Sequence, residues 1–221
     1  MHHEKNNLYW HQPAVTAAHR HQTYSYKSCV IWFTGLSAAG KSTLANALSL
    51  ELHARRVKCY VLDGDNIRHG LNRDLGFSPA DRRENIRRIG EVAKLFVDAG
   101  LIVMTAFISP FRDDRDSVRK LLGNREFVEV HVKCSLEECE RRDPKGIYKK
   151  AIAGEIKEFT GISSPYEIPL CPELVLDTET LCHKDCVDTI MNYLVDNCYL
   201  QPHSGEALTE SAGETESPDT V

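Results

Sequence analysis

The sequence Gly35-Leu36-Ser37-Ala38-Ala39-Gly40-Lys41-Ser42 decides the fold that we expect for this chain. It fits the phosphate-binding pattern G-x-x-x-x-G-K-[ST], and Thr43 follows it. An apolar run over residues 29–33 precedes the pattern and a helical pattern follows it. In that setting, main-chain N–H groups and the positive end of a helix dipole surround a phosphate. Residues 35–43 are therefore predicted to bind ATP, with Lys41 at its β- and γ-phosphates and Ser42 holding Mg²⁺. The alternative is a surface glycine turn with an incidental lysine.

The composition indicates one folded domain in a reducing compartment. The chain has 221 residues, of which 42% are hydrophobic, and a net charge of −5, which argues against general nucleic-acid binding. None of its eight cysteines forms a C-x-x-C pair, so we expect reduced, mostly buried thiols. The N-terminus is too polar for a signal peptide, and no apolar stretch reaches the roughly 18 residues of a membrane span. We expect a cytoplasmic protein with neither a nucleic-acid nor a membrane partner.

Strand and helix signals alternate along the middle of the chain. Between the strand signals lie amphipathic helices, one of which opens at Ser78 with Pro79 in its first position and stops at Gly100. This alternation predicts an α/β fold with a doubly wound, mostly parallel five-stranded sheet and helices on both faces. We expect a leader over residues 1–27 on the domain surface, a domain over 28–200, and an acidic, disordered tail over 201–221. The predicted strands are 28–34, 57–63, 101–108, 127–133 and 173–177.

Polar residues fall where the predicted strands end. Asp63 and Asp65 follow the second strand and Ser109 follows the third, so they should share a crevice with Gly35. A carboxylate there can orient Mg²⁺ through water or accept a proton from an attacking hydroxyl, and we favour Asp65 over Asp63 for function. A solvated Asp-Gly-Asp turn is the alternative. Farther along, Arg82 and Asn85 share a helix face, which suits an anionic second substrate.

Several longer motifs closely resemble the adenylyl-sulfate kinase family, and the match runs in order from about Leu8 to Leu200. The resemblance implies a P-loop NTPase-like kinase that uses Mg²⁺ and ATP. It implies transfer of the γ-phosphoryl group to the ribose 3′-hydroxyl of adenylyl sulfate, giving 3′-phosphoadenylyl sulfate (PAPS) and ADP in sulfate assimilation. The motifs are Asp63-Gly64-Asp65-Asn66-Ile67-Arg68-His69-Gly70-Leu71, Asp81-Arg82 with Glu84-Asn85-Ile86-Arg87-Arg88, Phe107-Ile108-Ser109-Pro110, Asp143-Pro144-Lys145-Gly146-Ile147-Tyr148-Lys149-Lys150-Ala151 and Phe159-Thr160-Gly161-Ile162.

The same resemblance implies roles for individual residues. Phe77 and Phe159 would sandwich the adenine of adenylyl sulfate, and a lid over about 143–165 would close on the phosphates. We also expect a homodimer, and we expect any coupling to an ATP sulfurylase to be between separate chains, because the chain is too short to carry that enzyme. The residues implied to contact adenylyl sulfate are Asp65, Arg68, Arg82, Asn85, Ile108, Ser109 and Lys145.

Three points stay open from the sequence. The family marks Ser109 as a phosphoserine intermediate, whereas Ser109-Pro110 also has the pattern of a helix N-cap that contacts substrate, and direct in-line transfer needs no covalent step. Ala38 stands where the loop commonly carries glycine, at a cost of about 1 kcal/mol if φ is positive there. The activity itself has two alternatives: a kinase of another small acceptor, and a nucleotide-dependent switch or weak regulator of the sulfurylase.

Overall fold

The computed structural model of the protein describes residues 9 and 11–202. Its centre is a five-stranded sheet in the order β2-β3-β1-β4-β5, and every pair of neighbours is parallel. The P-loop NTPase-like, doubly wound fold predicted from the sequence is confirmed, and each strand lies within a predicted run. The strands are β1 (Cys29–Thr34), β2 (Cys59–Asp63), β3 (Ile102–Ala106), β4 (Phe127–Lys133) and β5 (Leu174–Asp177).

Helices cover both faces of the sheet because its central strands are apolar on both sides. All six residues of β1 are buried: Ile31 and Phe33 point into one core, and Val30 and Trp32 point into the other. The first core lies under α2 and α8, and the second lies under α4 and α5. The helices are α1 (Ala17–Thr23), α2 (Lys41–Ala54), α3 (Gly64–Arg68), α4 (Pro79–Asp98), α5 (Arg112–Leu121), α6 (Leu136–Arg142), α7 (Ile147–Ile152) and α8 (His183–Asp196).

Helix α4 begins and ends as its sequence predicts. The Ser78 hydroxyl accepts a hydrogen bond from the Asp81 N–H at 3.2 Å, and Pro79 fills the first helical position. Gly100, with a φ of +91°, follows the C-terminal cap of the helix. A Cβ atom on Gly100 would lie 2.7 Å from the Tyr24 ring, so this glycine also makes room for the leader.

The leader contains a helix that the sequence did not reveal. Thr16 caps α1. The helix is attached to the end of α4 by Arg20, whose guanidinium donates to the Asp98 carbonyl at 2.6 Å. The Tyr24 ring stacks on Tyr26, with 5.3 Å between the ring centres. The described part of the leader therefore contacts the end of α4, whereas residues 1–8 and 10 lie outside the described residues. The predicted tail also lies outside them from residue 203 onward, and the predicted division into leader, domain and tail stays a prediction.

The cysteines correct one expectation. All eight are free thiols, but Cys29, Cys139 and Cys186 alone are buried, so the prediction of mostly buried thiols is wrong. The exposed ones lie in loops and caps, where burial is not needed; the Cys182 sulfur, for example, accepts a bond from the Asp185 N–H at the start of α8. Within residues 9 and 11–202, no helix combines the length and the apolar character that crossing a bilayer requires.

Candidate active site

One cleft of about 780 Å³ opens at the carboxyl ends of the strands. The phosphate loop, the turn after β2, the start of α4, the loop after β3 and the segment around α7 all contribute side chains to it. Every site residue predicted from the sequence lines this cleft except Gly35, Leu36 and Ala39. The lining predicted residues are Ser37, Ala38, Gly40, Lys41, Ser42, Thr43, Asp63, Asp65, Arg68, Phe77, Arg82, Asn85, Ile108, Ser109, Lys145 and Phe159.

The phosphate loop owes its shape to two glycines. A Cβ on Gly35 would collide with the Val132 carbonyl of β4, so the loop passes this strand without a side chain. Gly40 has a φ of +104° and caps α2 without a side-chain hydrogen bond. The first N–H groups of α2 therefore have no side-chain acceptor and point toward the cleft, where the helix dipole favours an anion.

Ala38 has a φ of +61°, so the loop does require the left-handed conformation at this position. The Ala38→Gly variant should be more stable than the natural chain by about 0.5–1 kcal/mol. Glycine adopts the left-handed conformation without strain, and the greater conformational entropy that it gives the unfolded chain offsets only part of this stabilisation. Chemical denaturation checks this expectation. Ala54→Gly is the control: Ala54 is exposed at the end of α2, so the same change there should lower stability. A loss of stability in both variants would contradict the strain.

Lys41 is the buried cation of the cleft. Its ammonium donates to the carbonyls of Gly35 at 3.0 Å and Leu36 at 2.6 Å. The pKa of Lys41 is lowered to about 8, mainly by burial and also by the nearby Lys145, while Cys139 and the two carboxylates of the turn after β2 partly offset the shift. A triphosphate beside this ammonium would raise its pKa again, so binding of the anion and protonation of the lysine favour each other.

The two aspartates after β2 take different positions. The Ser42 hydroxyl donates to Asp63 Oδ2 at 2.6 Å, and Asp63 Oδ1 accepts the Asp65 N–H at 3.0 Å, which caps α3. Asp65 forms an ion pair with Lys145 from the opposite wall. A hydroxyl and a carboxylate oxygen are the hard donors that Mg²⁺ takes alongside substrate phosphates, so Ser42 and Asp63 fit this ion. The geometry favours Asp63 for the metal and leaves Asp65 facing the rest of the cleft.

Aromatic and cationic side chains occupy the other half of the cleft. Phe77 is 61% exposed, and the Arg68 guanidinium lies 4.4 Å from the centre of its ring. Phe159 is buried edge-on against Tyr148, with 4.9 Å between the ring centres. Arg82 reaches across the cleft, donating to the Thr160 hydroxyl at 2.9 Å and to the Glu158 carbonyl at 2.6 Å. This half therefore presents flat apolar surfaces beside guanidinium groups, which suits a nucleotide with acidic substituents.

Ser109 is not the N-cap that its sequence pattern suggests. Helix α5 begins at Arg112 with Phe111 as its cap, because Ser109 has a φ of +40° where a cap needs an extended backbone. The Ser109 hydroxyl instead accepts a hydrogen bond from the Trp32 indole N–H at 3.1 Å. Sequence reasoning missed this partner and also missed Arg115 below the loop. The only signal for Arg115 was its place three residues before Val118, on the buried face of a helix otherwise rich in charge.

Comparison with known proteins agrees with this geometry. A family model described as adenylylsulphate kinase matches residues 27–177. The chain belongs to the adenylylsulphate kinase family.

Relatives within the adenylylsulphate kinase family match nearly the whole described chain. A probable adenylyl-sulfate kinase of Halalkalibacterium halodurans is 62% identical over 188 residues, covering 85% of this chain and 93% of the relative. The APS kinase of Mycobacterium tuberculosis, solved in complex with AMPPNP and APS, is 46% identical with a TM-score of 0.74, covering 76% of this chain and 98% of that one. A hexameric APS kinase from Thiobacillus denitrificans is 34% identical with a TM-score of 0.62, covering 83% of this chain and 32% of that one.

Proposed function

We propose that the cleft holds MgATP at the phosphate loop and adenylyl sulfate beside Phe77, with the two reacting groups facing each other across Asp65. The family reaction is ATP-dependent phosphorylation of adenylyl sulfate to PAPS, and the chain is a kinase of this kind. One observation carries the assignment of residues: the phosphate loop and the aromatic and guanidinium groups line a single cleft.

The donor half supplies charge and main-chain N–H groups. The N-terminus of α2 and the Lys41 ammonium would bind the β- and γ-phosphates and stabilise the negative charge that develops during transfer. Ser42 would hold Mg²⁺, with Asp63 orienting it through water, and the ion would neutralise the phosphate oxygens. Lys41 already lies among loop carbonyls, so a small side-chain movement exchanges them for phosphate oxygens.

The acceptor half supplies recognition. The adenine would stack between Phe77 and Phe159, Arg68 and Arg82 would bind the phosphosulfate, and Asn85 would contribute an amide. The carboxylate of Asp65 would accept the proton of the 3′-hydroxyl as the γ-phosphoryl group moves to it. Lys145, which pairs with Asp65 in the structure, would then contact the phosphate groups instead.

Ser109 fits direct in-line transfer better than a covalent phosphoserine intermediate. It is 2% exposed, and its hydroxyl accepts a hydrogen bond from a buried tryptophan. A phosphoryl group on that oxygen would have to enter a buried position beside the Trp32 indole, at a desolvation cost. Ile108 and Ser109 would instead contact adenylyl sulfate through the loop that they form.

The segment over about 143–165 would act as the lid. Arg82 bonds it to α4 at Glu158 and Thr160, and its two helix-flanking glycines, Gly146 and Gly154, have positive φ values. Closure would exclude water from the transfer. The homodimer, the coupling to a separate ATP sulfurylase and the cytoplasmic location stay predictions.

A direct assay tests the proposed function. Purified protein with MgATP and adenylyl sulfate should release ADP and form PAPS in equal amounts. ADP release with gluconate or AMP, and none with adenylyl sulfate, would instead indicate another small acceptor. Tight binding of ATP without turnover of any acceptor would indicate a nucleotide-dependent switch.

Replacing Phe77 by alanine should raise the KM for adenylyl sulfate about five-fold or more, because one stacked base is worth about 1–3 kcal/mol. The KM for ATP should stay unchanged, and initial rates with each substrate varied in turn measure both constants. Tyr60→Ala is the matched control, since Tyr60 is a half-exposed aromatic residue on β2 that does not line the cleft. Equal KM values for adenylyl sulfate in Phe77→Ala and Tyr60→Ala would contradict the stacking role of Phe77.

A further inference from the structure

The loop after β3 carries a strained residue beneath the acceptor half of the cleft. Ser109 has a φ of +40° and is buried, and the loop also contributes Ile108 to the cleft wall. A non-glycine residue keeps such a conformation only where its surroundings impose it, and this kind of strain concentrates at ligand sites. Something in the fold therefore holds this loop in place.

Three buried side chains hold the loop through hydrogen bonds. The Arg115 guanidinium donates through Nη1 to the Ser109 carbonyl at 2.6 Å. The Thr34 hydroxyl donates to the Ile108 carbonyl at 2.8 Å, and the Trp32 indole N–H donates to the Ser109 hydroxyl at 3.1 Å. Thr34 and Trp32 belong to β1, whose position is fixed by the sheet. Arg115 belongs to α5 and needs its own support.

Glu129 and a loop carbonyl provide that support. Arg115 Nε donates to Glu129 Oε1 of β4 at 2.7 Å, and Nη2 donates to the Glu167 carbonyl at 2.8 Å. The Arg115 and Glu129 side chains are 2% and 7% exposed. A buried ion pair is a weak source of stability, because desolvation offsets most of the attraction, so its clearest benefit here is the fixed direction of the guanidinium.

Arg115 does not line the cleft, and neither does Glu129. The residues that they fix, Ile108 and Ser109, lie on the acceptor side, whereas ATP is expected at the phosphate loop. Displacing the Arg115 guanidinium should therefore weaken the binding of adenylyl sulfate and leave the binding of ATP unchanged.

We propose that Arg115, oriented by Glu129, is a positioning residue for adenylyl sulfate: it holds the main chain of Ile108 and Ser109 in the strained form that contacts the acceptor. This inference rests on the proposed function. A lysine at position 115 keeps the positive charge for Glu129, but its single ammonium does not reproduce the planar fork by which Nε, Nη1 and Nη2 each donate to a different partner.

The test compares Arg115→Lys with Arg119→Lys. Arg119 lies on the same helix and pairs with Glu173 and Glu129, but it has no hydrogen bond to the loop after β3. Arg115→Lys should raise the KM for adenylyl sulfate at least ten-fold while the Kd for ADP stays within about two-fold of the natural chain. Arg119→Lys should leave both constants within about two-fold. If Arg115 had a merely structural role, Arg115→Lys would instead weaken the binding of adenylyl sulfate and of ADP together.

The outcomes separate this inference from the proposed function. If the natural chain does not phosphorylate adenylyl sulfate, the proposed function fails. If it does, two results would each refute the positioning role alone. One is a KM for adenylyl sulfate in Arg115→Lys that equals the value in Arg119→Lys. The other is a loss of ADP affinity in Arg115→Lys as large as its rise in KM for adenylyl sulfate. Should Arg115→Lys not fold, as judged by loss of a cooperative thermal unfolding transition, Glu129→Asp replaces it. That variant shortens the carboxylate by one methylene and should give the same selective rise in KM, and its absence would overturn the inference.

Discussion

The Lys41→Ala variant should lose at least about 10³-fold in kcat/KM for MgATP. The lysine is the buried cation at the phosphate loop, and its ammonium is already held among loop carbonyls beside the expected phosphates. Removing it deletes a charge that acts in a desolvated site, where water substitutes poorly. PAPS formation measured at saturating adenylyl sulfate checks the expectation. Lys94→Ala is the control, because Lys94 is exposed on α4 and outside the cleft.

The pH dependence of ATP binding provides a second readout of the same lysine. The pKa of Lys41 lies at about 8, mainly because of burial, and the bound triphosphate raises it. The protonated form binds the anion, so affinity should be constant below pH 8 and fall as pH rises through and above it, up to about ten-fold per pH unit. Nucleotide titrations between pH 7 and 9 measure this slope. The same slope in Lys41→Ala would show that another group titrates.

The Asp65→Asn variant should lower kcat by about 10²–10⁴-fold and leave both KM values nearly unchanged. Asparagine has almost the same size but does not accept the proton of the attacking hydroxyl. Asp65 lines the cleft beside Lys145 and does not hold Ser42, so its loss should spare the metal position. Initial rates over a range of both substrates check the split between kcat and KM.

Asp188→Asn is the matched control for that change, since it breaks an exposed ion pair with Lys184 on α8. Its rates should equal those of the natural chain, because an exposed pair contributes little. A rise in the KM for adenylyl sulfate in Asp65→Asn, with kcat preserved, would assign this carboxylate to binding alone.

The elements that the sequence predicts well are those whose signal is local. The strand β1 and the helix α2 follow from an apolar run joined to a glycine-rich loop, and α4 follows from its cap, its apolar stripe and its terminal glycine. Helix α1 was missed because its seven residues bury no side chain and show no apolar stripe; Arg20 and residues beyond the helix attach it. Its position depends on contacts with residues far along the chain, which no local pattern contains.

The site shows the same division. The glycines, lysine and serine of the phosphate loop could be assigned from spacing alone, but the division of labour between Asp63 and Asp65 could not. Which carboxylate accepts the hydrogen bond from Ser42 depends on how β2 lies beside α2, and this is a feature of the tertiary structure. Ser109 is the clearest failure of local reasoning: the Ser-Pro pattern favours a cap, but bonds from Trp32 and Arg115 impose a backbone that no cap adopts.

Gly100 couples two features that are usually independent, the turn that ends a helix and the attachment of a distant segment. Its left-handed backbone disfavours any side chain, and the Tyr24 ring occupies the space where one would begin. Mutational tolerance at this position should therefore be lower than turn geometry alone implies. Among natural variants of this chain, a residue other than glycine at position 100 should occur together with a smaller residue at 24. The two positions should therefore covary.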